Sequence, residues 1–362
     1  MDETKRTTLG PAKCYPGWFL VLGFVLCACR QGSKGCVKGS DQMRVLIGVD
    51  GSPGAFAAIR FVARLLSNET DRIALYYSPP EVKVGGHATE EIQKRALKAL
   101  AETLFREASA QLPESFRKNL ETILGEEPPQ HSLVTAAEQW RAELIVLGAR
   151  GVGPLQRLLV GSVAKVVAHT SNLPVLVVRT PNNKAGENGG PTQEALPQEP
   201  KSDPLRVLFA CDGSQTSNQA GQFANKLHWP PNTKAQLITV IESLLAGDVP
   251  EWLKEEAREE ETELMARAWV EEHEKFKQEE LHRLEQACLE MPGQFHWNEP
   301  LVVEGHPSEQ ILKAIEEQKA DLVVLGARGR GAIARFLLGS TSDTMLNHAP
   351  CSVLIVRKHG DP

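Results

Sequence analysis

The chain lacks most of the signatures that announce an enzyme or a nucleic-acid binder. No GxxxxGK[ST] segment occurs in its 362 residues, so the lysine and magnesium-binding hydroxyl of a P-loop hydrolase are missing. There is no GxGxxG dinucleotide fingerprint, no GxSxG elbow and no other placed nucleophile. The ten histidines are scattered and form no zinc spacing with the cysteines. Basic charge is in short supply, with 40 Lys and Arg against 46 Asp and Glu, and a net charge of -6 argues against nucleic acid and for small-molecule or protein partners. Four of the seven cysteines (Cys14, Cys27, Cys29, Cys36) precede the first domain, so the body carries no disulfide framework. Cys211 and Cys351 lie in apolar runs, where a thiol serves as a small buried hydrophobe. Long apolar stretches are scarce too. The run from Trp18 to Cys29 follows Lys5, Arg6 and Lys13, is too short to span a bilayer, and resembles a signal-peptide apolar region. Met43, followed at once by a strand pattern, reads as a native start. Residues 1–42 are therefore taken as a leader or a misassigned N-terminal extension. The expected location is cytoplasmic, with membrane attachment or export the alternative if residues 1–29 act as a leader.

What the chain does have is a repeat. Arg44–Ser52 (RVLIGVDGS) recurs as Arg206–Ser214 (RVLFACDGS), and Leu144–Gly151 (LIVLGARG) recurs as Leu322–Gly329 (LVVLGARG). Leu173–Arg179 (LPVLVVR) is matched by Ala349–Arg357 (APCSVLIVR). Three matched blocks in one order imply a duplicated domain, over 43–180 and 205–358, joined by a flexible linker over 181–204 rich in Pro, Gly, Asn and Glu. Short β-branched runs alternate with helical patterns in each copy, the mark of a parallel sheet with crossover helices. Strands are expected near 44–49, 72–77, 121–124, 143–147 and 174–178, and near 205–210, 235–241, 299–304, 321–325 and 351–356. LIVLG and LVVLG are apolar on both faces, as central strands covered on both sides must be. The second copy is longer because of a charged, amphipathic stretch over 251–291, read chiefly as a solvated helix on its own sheet, with a partner-binding helix as the alternative. The final apolar strands are the natural edges for pairing between the copies.

The chemistry points to one spaced pattern. Gly148 closes a buried strand, Gly151 follows after two residues, and Gly161-Ser162 follows after nine more; Gly326, Gly329 and Gly339-Ser340 repeat the spacing unchanged. In a doubly wound sheet, ligands sit beyond the carboxyl ends of the strands where the order reverses, which here brings Asp50 towards Gly148 and Asp212 towards Gly326. Glycines let backbone N–H groups approach phosphate oxygens. Ser162 and Ser340 open helices, so each is expected to cap its helix and offer a hydroxyl and N–H groups to an anion. Arg150, Arg157, Arg328, Arg330 and Arg335 are equally at home near phosphates or on the plain surface.

These residues resemble the universal stress protein family, whose ATP-binding members carry a G-x2-G-x9-G-(S/T) loop and an Asp after the first strand. The resemblance covers nearly all of Met43 to Lys358. It implies two tandem Rossmann-like α/β domains of the adenine nucleotide alpha hydrolase type, each a five-stranded parallel sheet of order 3-2-1-4-5 with helices on both faces. It further implies ATP, with or without Mg2+, held by Asp50, Gly148, Gly151, Gly161 and Ser162 in the first copy and by Asp212, Gly326, Gly329, Gly339 and Ser340 in the second. Adenine would meet the second strand at Tyr77 and at Val240. Tyr77 is bulky there, and Gly305-His306-Pro307 has a counterpart only in Glu126-Glu127-Pro128, so the second site is expected to bind at least as well as the first. An internal pseudo-dimer is implied, with further homodimerisation left open. The expected role is a nucleotide-dependent stress-response module with little or no hydrolysis and no catalytic residue or resident metal; the alternative is a slow ATPase or adenylyl-transferring enzyme in the same crevice.

Overall fold

In the computed structural model of the chain, the described residues are 42–79, 90–151, 160–180, 204–241, 259–291, 293–329 and 338–357. They fall within one compact unit, 41–362. The N-terminal extension, nearly all of the linker, and Arg157, Arg330 and Arg335 lie outside them. Among the described residues no helix is long and apolar enough to cross a membrane.

The first copy runs β1 (Arg44–Gly48), α1 (Pro53–Ala63), β2 (Arg72–Tyr77), α2 (Glu90–Ser109), β3 (Leu120–Leu124), α3 (Pro129–Gln139), β4 (Leu144–Gly148), α4 (Ser162–Thr170) and β5 (Val175–Val178). The second runs β6 (Arg206–Ala210), α5 (Gln215–Ala224), β7 (Lys234–Ile241), α6 (Glu259–Glu290), β8 (His296–Trp297), β9 (Leu301–Glu304), α7 (Pro307–Gln318), β10 (Leu322–Gly326), α8 (Ser340–His348) and β11 (Ser352–Val356). Every expected strand is present. The two-residue β8 is an addition that periodicity could not announce; beside it Phe295 and Trp297 pack on Phe209 and Trp229 with ring centroids 5.1–6.5 Å apart.

In the first copy the sheet order is β3-β2-β1-β4-β5, all parallel, and the second repeats it as β9-β7-β6-β10-β11. The two halves join through β5 and β11, which pair antiparallel with Leu176 opposite Leu354, giving one eleven-stranded sheet. That arrangement fits an internal pseudo-dimer and leaves neither of these apolar strands as an open edge. Helices α1, α2, α5 and α6 cover one face and α3, α4, α7 and α8 the other. Both cores run through the two copies without a break.

A crossed pair of arginines clamps the join. Arg357, just past β11, donates through Nη2 to Ala168 O at 2.8 Å and His169 O at 2.9 Å, at the C-terminal end of α4 in the other copy. Arg179, just past β5, does the same for Leu346 O at 2.8 Å and Asn347 O at 3.0 Å at the end of α8. These carbonyls are helix-terminal groups with no intrahelical donor, and a cation at a helix C-terminus also meets the negative end of its dipole. Burial, and then the nearby Arg328, lowers the Arg357 guanidinium to about 10, so it keeps its charge at neutral pH. Arg357→Ala is expected to destabilise the chain by roughly 2–3 kcal/mol, because two carbonyls lose a charged donor. Urea unfolding measures it; an unchanged midpoint would mean that water replaces the guanidinium freely.

Candidate functional site

Each copy builds its site from the turn after its first strand. Asp50 Oδ1 accepts from Ser52 N–H at 3.0 Å, across Gly51 at φ +80°, and Asp212 Oδ1 accepts from Ser214 N–H at 2.9 Å across Gly213 at φ +74°. Only a glycine takes that backbone conformation without strain. The serine is then the cap of the following helix: Ser52 Oγ accepts from Ala55 N–H at 3.1 Å and Ser214 Oγ from Ser217 N–H at 3.2 Å. Each hydroxyl also donates to the loop after the fourth strand of its copy, at Arg150 O and Arg328 O, both 3.2 Å. These two capping serines escaped the motif analysis, although a serine directly before Pro53 is a helix-start signal.

The glycines of the spaced pattern then divide by physical cause. A Cβ on Gly148 would lie 2.5 Å from Gly54 C and 2.8 Å from Ala55 N, and one on Gly326 would lie 2.7 Å from Ser217 N. Both are glycine because the first helix of the copy crosses too close for any side chain. A Cβ on Gly151 would overlap Asp50 Oδ2, and one on Gly329 would come within 2.9 Å of Asp212 Oδ2. Gly161 and Gly339 differ. They sit at ordinary extended angles, φ -63° and -66°, and a Cβ on either would meet nothing closer than 3.5 Å. Neither backbone nor packing asks for glycine there. Each is the N-cap of its helix, and no side chain caps that end. Ser162 and Ser340 therefore do not cap, as the sequence suggested; they are the first helical residues and are exposed.

All of these features meet at one cavity per copy. The first, about 280 Å³, is bordered by Asp50, Gly148, Gly151, Gly161 and Ser162 together with Tyr76. The second, about 630 Å³, is bordered by Asp212, Gly326, Gly329, Gly339, Ser340 and Val240. Arg150 and Arg328 border them as well.

Tyr77 is the exception among the expected residues. It packs with Val45, Ile47 and Leu75 in the core on the face covered by α1 and α2, and does not border the cavity. Burial, and next the Asp50 carboxylate, raises its hydroxyl pKa. The register explains the displacement: Gly48 pairs with Tyr76 and Ala210 with Ile238, so Ser78, two residues on, is the counterpart of Val240. The tyrosine that fills the first cavity is Tyr76, whose Oη donates to Ser132 Oγ at 2.6 Å and whose ring leaves no room for a side chain on Gly125. Ile238 takes that place in the second copy, where the cavity is larger. The Gly-x-Pro segment is present there as expected, with Gly305 at φ +129° and His306 as N-cap of α7.

Burial pushes the thiol of Cys211, at the floor of the second cavity, up to about 12, and does the same to Cys351 in the core. In the unfolded chain both thiols ionise near 9.0, so the native state is fully favoured below that pH and loses stability as the pH rises from about 9 towards 12. At pH 8 Cys351 is expected to react with iodoacetamide only after denaturation, as peptide mapping by mass spectrometry would show; its modification in the native chain would contradict its burial.

A doubly wound parallel sheet with a crevice in each copy at the carboxyl ends of its strands defines an α/β protein of the Rossmann-like class. The model of the universal stress protein family matches residues 43–179 and 205–357, and the chain belongs to that family. A universal stress protein of Mycolicibacterium smegmatis is 26% identical over 331 residues, covering 89% of this chain and 99% of its own. A shorter one from Thermus aquaticus is 32% identical over 151 residues, 42% of this chain and 97% of its own. Among solved structures, a universal stress protein from Archaeoglobus fulgidus shares the fold with a TM-score of 0.53 at 18% identity, over 87% of this chain and 98% of its own.

Proposed function

We propose that each copy binds ATP, and that occupancy sets the conformation or partner choice of a stress-response module with little or no hydrolysis. The carrying observation is the pair Gly161 and Gly339. Among the described residues nothing requires glycine at either position, yet each borders a cavity at the uncapped start of a helix. Such a helix start presents free N–H groups and the positive end of a dipole, and a phosphate group can approach them only where no side chain intervenes. In this reading Gly151, Gly161 and Ser162, with their second-copy counterparts Gly329, Gly339 and Ser340, hold ribose and phosphates. The base lies against Val240 in the second site and beside Tyr76 and Ser78 in the first. Asp50 and Asp212 each commit one carboxylate oxygen to the turn and keep the other towards the loop, where it can meet ribose or a magnesium ion carried in by the nucleotide. The larger second cavity supports binding there at least as tight as in the first.

Mass spectrometry of the small molecules released from the purified, denatured chain tests the reading. Recovery of adenine nucleotide in up to two equivalents is expected. A chain that releases none, and takes up none when ATP is supplied, would contradict it.

A further inference from the structure

The two cavities differ in one wall. Among the described residues none bordering the first belongs to α2, whereas the second is bordered by Phe276 and Glu280 of α6, the helix at the same place in its copy. That wall is fixed in position. Lys277 Nζ lies 3.1 Å from Glu304 Oε1 at the end of β9, and Arg283 donates to Thr239 Oγ1 of β7 at 3.0 Å and to Glu280 Oε2 through Nε at 2.8 Å. Further along, Leu284 is fully buried in the core beneath. Phe276, one residue before the first of these anchors, is 41% exposed and borders the cavity.

We infer that Phe276 is the stacking platform for the nucleotide base in the second site. This rests on the nucleotide reading above. The polarity of the cavity fixes the direction. Helices α6 and α8 lie on opposite faces of the sheet, so the α6 wall faces the glycine loop across the crevice. Glu280, at 8% exposure, is held by Arg283, so the ring of Phe276 is what this wall offers a ligand. An aromatic ring on the wall opposite the phosphate loop matches the planar base, and stacking tolerates any base because each has a π-face. The second site would thus gain affinity for nucleosides from a wall with no counterpart among the described residues of the first site, while its grip on phosphate stays that of the common loop.

The test is calorimetric titration of the full-length chain in a Gly161→Val background, which closes the first site, with ATP and with inorganic tripolyphosphate. Phe276→Ala is expected to weaken ATP by about ten- to a hundred-fold and to leave tripolyphosphate unchanged, and Phe276→Trp to keep ATP near the parent value. If the parent binds ATP and Phe276→Ala binds it equally well, the platform is refuted while the nucleotide reading stands. Equal loss of both ligands would also refute it, since that marks a general disturbance of the site. If the unaltered chain binds neither, the nucleotide reading itself fails and the platform falls with it.

Discussion

Gly326→Ala is expected to cost the chain about 3 kcal/mol of stability or more. The added methyl would sit 2.6 Å from Thr216 Oγ1, 2.7 Å from Thr216 C and 2.7 Å from Ser217 N. The threonine side chain can rotate away, but the backbone atoms belong to the first turn of α5, whose start Ser214 caps and ties to Arg328 O. Relief requires that turn to retreat from the end of β10, which breaks both hydrogen bonds of the serine. Gly148→Ala is the matching case, against the first turn of α1 at Gly54 and Ala55. Urea denaturation of the two variants is the measurement, and wild-type midpoints for both would show that the helix start yields without cost.

Gly339→Val should behave in the opposite way. Its Cβ finds Ala327 O and Arg328 Cα no closer than 3.5 Å, and the backbone angles suit any residue, so the fold should lose less than about 1 kcal/mol, the scale of an N-cap change. Nucleotide affinity at the second site should nevertheless fall by about a hundred-fold or more, the loss of two hydrogen bonds to a charged group at roughly 1.5 kcal/mol or more each. The contrast matters because all the glycines of the spaced pattern look alike in sequence. Gly148 and Gly326 serve the packing of strand against helix, whereas in the proposed function Gly161 and Gly339 keep space for the ligand.

Much of this was legible beforehand, for physical reasons. A run such as Leu322–Gly326 is apolar on both faces because helices cover both, and the pattern survives duplication. The pairing of β5 with β11 followed from apolar end strands that have nowhere else to go. The misplaced details share a different cause. Tyr76 and Tyr77 are adjacent, equally suited to a strand, and point to opposite faces; only the hydrogen-bonded partners Gly48 and Ala210 decide which of them meets the cavity. Ser162 and Ser340 were expected as caps by composition, but the chain enters those helices one residue earlier. That α6 lies on its own sheet agrees with the reading of 251–291, but the points that hold it there could not be read: its anchors on Thr239 and Glu304 join residues far apart in the chain, and no periodicity within a helix reports such contacts.

The most direct measurement is calorimetric titration of ATP into the unaltered chain beside Gly161→Val, Gly339→Val and the double variant, all verified as folded. Saturable binding to the unaltered chain, reduced to one site by either substitution and abolished by both, is the predicted result. Unchanged binding in the double variant, or no binding in the unaltered chain, would contradict the account, because the two glycines that nothing in the fold requires would then have no ligand to explain them.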